Sequence, residues 1–260
     1  MSRPLVIKVG GKALQDLGAL QPLLQRIVQL QAERPCVLVH GGGAQVDTWL
    51  QTFGHPLRKV DGLRLTPDAS MPVVAGALAG ALNTQLVSAL QQQGTRACGL
   101  TLVDANWCSL QHLPALGAVG EPQLADCNGQ LLTLLCGQQI LPVIASIGQL
   151  ADGTLVNVNA DMAAACAAAV LDADLLLLTD VDAIFDQQQR ALGDITVQQA
   201  QRLVVDNVVA GGMKVKLQTA LNATQLSRRS TAVAAWYSQA SLTAILSGQA
   251  MATRIMPTHN

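Results

Sequence analysis

Short apolar, often β-branched runs alternate along this chain with longer stretches rich in Ala, Leu and Gln. The runs Leu5–Val9, Cys36–Val39, Gly99–Val103, Val143–Ser146, Asp174–Thr179 and Thr231–Ala235 read as strands. The longer stretches predict helices over Ala19–Glu33, Gly43–Phe53, Asp68–Gln93, Asp161–Leu171, Thr196–Leu203, Met213–Ala223 and Gln239–Leu246. Strands that are apolar on both faces are those covered by helices on both sides, so the alternation predicts an α/β fold around a mainly parallel sheet. Trp107 to Leu124 breaks the rhythm, contains Pro114 and Pro122, and reads as a hairpin or lid.

Composition narrows the class. Half of the 260 residues are hydrophobic, yet no run reaches the eighteen or so unbroken apolar residues of a membrane span. Net charge is −1 with no basic block, which argues against nucleic acid as a partner. Six cysteines are scattered without a C-x-x-C pair, which argues against a zinc site or a disulfide framework and fits reduced thiols. A soluble cytoplasmic globule is expected. Lysine is scarce: Lys8, Lys12, Lys59, Lys214 and Lys216 are all there are, so a lysine beside a glycine turn carries more weight than usual.

Six segments carry candidate chemistry. Lys8-Val9-Gly10-Gly11 ends a strand with two glycines that can bring N–H groups to a phosphate, although the same residues suit a tight turn with a solvated lysine. His40-Gly41-Gly42-Gly43 places three glycines between a strand and a helix N-terminus, an arrangement that offers an anion unpaired donors and a favourable dipole. The histidine there reads as a strand-end residue held by the backbone. Gly62-Leu63-Arg64-Leu65-Thr66-Pro67 presents a guanidinium fork suited to a carboxylate, or to a surface ion pair. Asn157-Val158-Asn159-Ala160-Asp161 opens an alanine-rich helix; Asn159 or Asp161 can cap it, and alternation turns Asn157, Asn159 and Asp161 to one side. Asp180 to Phe185 breaks a buried strand into a polar turn at its carboxyl end, where open α/β sheets bind ligands. In Gly211-Gly212-Met213-Lys214-Val215-Lys216, helical spacing lets Lys216 face a site while Lys214 meets water.

In this combination and order the motifs resemble the amino-acid kinase family over essentially the whole chain. The G-L-R-x-T-P, N-V-N-A-D and G-M-x-x-K segments are most similar to the branch that phosphorylates N-acetyl-L-glutamate. The closing Ala252-Thr-Arg-Ile is similar too, although that branch more often has Gly at this position. Gly117-Ala-Val-Gly keeps the branch's lid core, with unusual residues after it.

The resemblance implies a three-layer α/β/α sandwich with one continuous sheet: an acceptor lobe over residues 1–172 and a nucleotide lobe over 173–260. It implies that Lys8 and Lys216 stabilise the transferring phosphoryl group, with Asp161 holding both. Gly42, Gly43, Arg64 and Asn157 are expected to bind the acceptor, Arg64 through its α-carboxylate and Asn157 through its α-amino substituent. Gly11, Asp180, Val181, Asp182, Ala183, Ile184, Phe185, Val208, Val209 and Ala210 are expected to seat ATP. Mg2+ enters with the phosphates, and no protein metal site is expected. The γ-carboxylate product would be N-acetylglutamyl 5-phosphate, a step of arginine biosynthesis. Sister acceptors (N-acetylaminoadipate, glutamate, carbamate, UMP) and a non-catalytic nucleotide sensor are the alternatives. A glutamyl-type carboxylate, with a pKa of about 4.3, is already an anion and needs no general base, and the motifs show none. Only seven residues precede Lys8, so the extra helix that links arginine-inhibited relatives into hexamers is not expected; a homodimer insensitive to arginine is.

Overall fold

A computed structural model describes residues 2–60, 63–238, 240, 242–243 and 252–257. Eight strands form the main sheet in the order Asp194–Thr196, Thr253–Met256, Thr231–Ala235, Asp174–Thr179, Leu5–Val9, Cys36–His40, Leu141–Ala145, Ala97–Leu100. The last six named run parallel, and Thr253–Met256 is antiparallel to Thr231–Ala235. Leu5–Val9 sits centrally, where the strand order turns back on itself; strands from before residue 172 fill one half of the sheet and later ones the other half, apart from that shared centre. Ligands in such sheets bind beyond the strand carboxyl ends at this reversal. Those ends here are Gly10, Gly41, Ser146 and Asp180.

Helix Ala160–Val170 lies against the sheet centre. Ala163 through Ala168, including Cys166, have no exposed surface, because a helix apolar all round must be covered all round. Small side chains let it approach both the central strands and helix Gly211–Ser227 closely. The helical stretch Asp68–Gln92 is long and apolar enough to cross a membrane by length and composition. Its inner face, Met71, Val74, Leu78, Leu82, Leu86 and Leu90, is instead buried in the protein core. Gly76–Leu82 within it is a π-helical turn, a form that recurs near functional sites.

Several boundaries move for local reasons. The strand expected over Gly99–Val103 runs instead from Ala97 to Leu100. Asp104 Oδ2 accepts from the Thr101 amide at 2.6 Å and hydroxyl at 2.8 Å, which turns the chain out of the sheet. The hairpin anticipated between Trp107 and Leu124 is present, Leu110–His112 against Val119–Pro122. It extends into a second sheet through Leu155–Val158 and Ile147–Gln149, strands too short to stand out in the sequence. Gly117 closes the hairpin loop at φ +77°, and a Cβ there would lie 2.3 Å from the Thr66 carbonyl oxygen. Ala118 N–H donates to that oxygen at 2.7 Å, so the glycine lets the hairpin dock on the segment carrying Arg64. The helix expected over Gln239–Leu246 lies outside the described residues apart from 240, 242 and 243, and so does the turn at 61–62.

Candidate active site

Two contiguous clefts open at the carboxyl edge of the sheet. The larger, about 550 Å³, is lined by Arg64, Asn157, Asn159, Asp161 and Lys214, with hairpin residues Val119 to Glu121 across from them. The smaller, about 310 Å³, is lined by Lys8, Gly10, Gly11, Asp180, Lys216 and Trp236. Asp161, Val215 and Thr219 border both. A third, shallower recess of about 190 Å³ joins Gly41, Gly42 and Gly43 to Arg64 and Asn157.

Lys8 leaves the end of the central strand and meets Asp161 at 3.0 Å. A Cβ at Gly10 would sit 2.7 Å from its Nζ, so the glycine keeps open the space into which the amine curls. Asp161 occupies the second position of its helix, where the dipole favours a negative charge. The cap is Asn159, whose Oδ1 accepts from the Asp161 and Met162 amides at 2.8 and 3.2 Å. Asn157 is the penultimate residue of the preceding strand and, with Asn159 and Asp161, faces the larger cleft, as alternation requires.

Lys216 departs from expectation: its ion pair is with Asp180 at 3.2 Å, and Asp161 is the partner of Lys8. The reason is geometric, since helix Gly211–Ser227 carries Lys216 towards the end of strand Asp174–Thr179. Burial tends to raise the Asp180 pKa, but hydrogen bonds from Thr179 Oγ1 (3.0 Å) and Lys216 outweigh it and leave the carboxyl below its ordinary value. Lys214 departs too. It lines the larger cleft and donates to Asn207 Oδ1 at 2.6 Å, so it does not simply face water. Helical spacing separates the two lysines as read, but the helix bridges both clefts, and each lysine meets one of them.

Arg64 is 9 % exposed at the side chain, ion-paired with Asp47 and donating to the Gly43 carbonyl at 3.1 Å. Lys59 also reaches Asp47, at 3.4 Å. The fork is therefore held rigidly at the mouth of the glycine turn. That turn caps helix Gly43–Thr52 without a side-chain acceptor, and a Cβ on Gly42 would strike Leu78 and Leu82 at 2.7 and 2.6 Å. Backbone donors of this kind suit an anion. His40 is buried: Nδ1 donates to the Gly41 carbonyl (2.8 Å), and Nε2 accepts from Asn83 Nδ2 (3.0 Å), which also donates to the Val143 carbonyl (2.8 Å). Burial lowers its pKa to about 4, opposed by the Gly41 hydrogen bond, so it is a neutral strut for the turn.

Of the residues expected to seat ATP, Gly11 and Asp180 line the smaller cleft. Ala183, Ile184 and Val209 are buried, and the Ile184 amide is committed to Thr253 Oγ1 at 2.9 Å. Val181, Asp182 and Phe185 are half-buried in the turn beyond Asp180, while Val208 and Ala210 lead into helix Gly211–Ser227. The Gln187 amide donates to the Val208 carbonyl (3.2 Å), which joins the two segments behind the cleft. Sequence reading missed Trp236, Val215 and Thr219, and also Gln218 and Asn222. The polar stripe Lys214, Gln218, Asn222 at four-residue spacing was a readable signal for the last two.

The pattern of the Amino acid kinase family matches residues 3–235. The chain is 44 % identical over 257 residues to the acetylglutamate kinase of Colwellia psychrerythraea, covering 98 % of this chain and 97 % of that one. It is 40 % identical over 256 residues to the acetylglutamate kinase of Serratia proteamaculans, covering 97 % and 99 %. Among solved structures, smu.665 from Streptococcus mutans UA159 superposes with a TM-score of 0.79 at 26 % identity, covering 98 % of this chain and 99 % of that one.

Proposed function

The chain belongs to the amino acid kinase family, and from that premise we propose that it transfers the γ-phosphoryl group of ATP to the γ-carboxylate of N-acetyl-L-glutamate. The products are N-acetylglutamyl 5-phosphate and ADP, a step of arginine biosynthesis. Near-full-length identity to acetylglutamate kinases supports the reaction. The observation that carries the site assignment is the meeting of two clefts at the Lys8–Asp161 pair, one bearing Arg64 and Asn157, the other Lys216.

In this reading the acceptor lies in the larger cleft. Its α-carboxylate meets Arg64, its acetamido group meets Asn157, and Gly42 and Gly43 donate backbone N–H groups. ATP occupies the smaller cleft, with Gly11 at the phosphates and the turn from Asp180 to Phe185 together with Val208 to Ala210 seating the nucleotide. The attacking carboxylate is already ionised, so the protein has only to align it and neutralise charge. Lys8 and Lys216 do this from the two sides. Asp161 and Asp180 are each spent on a lysine, so Mg2+ would be held mainly by phosphate oxygens and water and would supply charge neutralisation to the triphosphate. Residues 1–172 then serve mainly the acceptor and 173–260 mainly the nucleotide, with Gly11 crossing to the phosphates and Lys214 to the acceptor cleft. Free thiols at all six cysteines fit a cytoplasmic location.

A coupled ADP-release assay over an acceptor panel tests the reading. N-acetyl-L-glutamate should give the highest kcat/KM against N-acetylaminoadipate, glutamate, carbamate and UMP; preference for any other acceptor sinks it. Arg64→Lys keeps the charge but loses the planar fork. It should raise KM for the acceptor by about 10-fold or more, the size of one charge-assisted hydrogen bond, and leave KM for ATP unchanged. A rise confined to ATP would move Arg64 to the nucleotide side.

The assembly we propose is a homodimer. On Asp68–Gln92, Gly80 is exposed and Gly76 and Ala79 are half-buried, small residues that allow a second copy to approach closely. Light scattering should give twice the 27.2 kDa chain mass; a monomer or a hexamer would refute it.

A further inference from the structure

Three of the six cysteines, far apart in sequence, meet at one point. Cys108 lies two residues before the hairpin strand Leu110–His112, Cys127 follows the hairpin and the short turn Leu124–Asp126, and Cys166 lies in helix Ala160–Val170. Cys108 Sγ is 3.9 Å from Cys166 Sγ and 3.9 Å from Cys127 Sγ, and all three sulfurs fall within 4.8 Å of one another. The absence of a C-x-x-C pair argued against such a cluster; the fold assembles it from three separate elements. Cys108 and Cys166 are buried, whereas Cys127 is partly exposed, so the triangle has two dry corners and one that opens towards solvent.

A point equidistant from the corners of such a triangle lies roughly 2.3–2.5 Å from each sulfur, against a zinc–thiolate bond of about 2.3 Å. A disulfide, at about 2.05 Å, would need one pair to close by nearly half its separation. Three thiolates select soft or borderline d10 ions over magnesium or calcium. The carbonyl oxygens of Gln123 and Ser109 lie 3.2 and 3.8 Å from Cys127 Sγ, the partly exposed corner of the triangle.

We propose that Cys108, Cys127 and Cys166 form a three-thiolate binding site for zinc(II), loaded from the Cys127 side. Binding exchanges three S–H bonds for three S–Zn bonds and releases up to three protons, with no change of oxidation state. The site ties the base of the hairpin, whose Val119–Pro122 strand borders the larger cleft, to the helix whose first turn carries Asp161. Occupancy fastens the cleft's lid to its floor.

The test uses the full chain, reduced and chelator-treated, without ATP or acceptor, and so does not depend on which acceptor the enzyme takes. Cadmium(II) is the probe and is read by its ultraviolet thiolate charge-transfer band, with zinc(II) as competitor. The band should saturate at one ion per chain, be displaced by zinc, and accompany a higher Tm. Cys127→Ser and Cys166→Ala should each weaken binding by about 100-fold or more, beyond the 10–100-fold typical of losing an outer-shell partner. Cys98→Ser and Cys136→Ser should leave the titration unchanged, and circular dichroism confirms that each variant is folded. No band, a band that survives both Cys127→Ser and Cys166→Ala, equal loss in the two control variants, or a disulfide forming within the triangle in place of metal binding would each overturn the site.

Discussion

Lys8→Ala and Lys216→Ala are each expected to lower kcat by about 10²–10³, with far smaller changes in either KM. Charge moves onto the transferring phosphoryl group and the ADP leaving oxygen only as the transition state forms. A cation aimed there contributes mostly to kcat, and losing one preorganised donor of this kind typically costs about that factor. Lys8 is held at 3.0 Å from Asp161 and Lys216 at 3.2 Å from Asp180, so both amines are positioned before substrates arrive. Lys214 shares the helix, but its amine is occupied by Asn207 and lies on the larger cleft. Lys214→Ala should lower kcat far less than either of the other two, because its amine does not face the transferring phosphoryl group. Steady-state kinetics on the three variants separate these cases. If the Lys214 and Lys216 variants lost equal activity, the division of the helix between the two clefts would be wrong.

Acid should destabilise the fold through His40. Its folded pKa is lowered to about 4 by burial, against an ordinary value of 6.5. Between those values the unfolded chain takes up a proton that the folded one refuses. The stabilising contribution is therefore complete above pH 6.5 and is lost as pH falls to 4, for a total of about 3 kcal/mol. Protonation would leave Nε2–H pointing at the Asn83 amide, two donors face to face, which is why the buried ring stays neutral. Urea unfolding at stepped pH should show a steeper fall across this window in the parent than in His40→Asn, because the carboxylate contributions common to both cancel. Parallel curves would mean that the ring finds a way to be protonated in place. The same variant should perturb the glycine turn, since the imidazole holds the Gly41 carbonyl.

Local chemistry made much of this protein legible before folding. Leu5–Val9, Asp174–Thr179 and Thr231–Ala235 are apolar on both faces, and the expected strands and the observed ones coincide, because only a central parallel strand tolerates that pattern. The glycine turns at 10–11 and 41–43 and the Asn157–Asp161 segment were also visible, because their function depends on residue type at a strand end. Contacts between segments distant in sequence were not visible. Which carboxylate meets which lysine depends on how helix Gly211–Ser227 crosses the sheet ends, and that gave Lys216 to Asp180. Arg64 reads alone as a surface cation, yet Asp47 and the Gly43 carbonyl, 17 and 21 residues upstream, bury and aim it. The four-stranded sheet of the hairpin is built from strands of three or four residues, too short for their own periodicity to show. Spacing along the chain kept the cysteines apart, and packing of a hairpin base against an alanine-rich helix brought three of them together. Residue type and period act within a few residues and are written in the sequence; ion-pair partners, buried histidines and thiol triangles depend on where whole elements come to rest, which only tertiary packing decides.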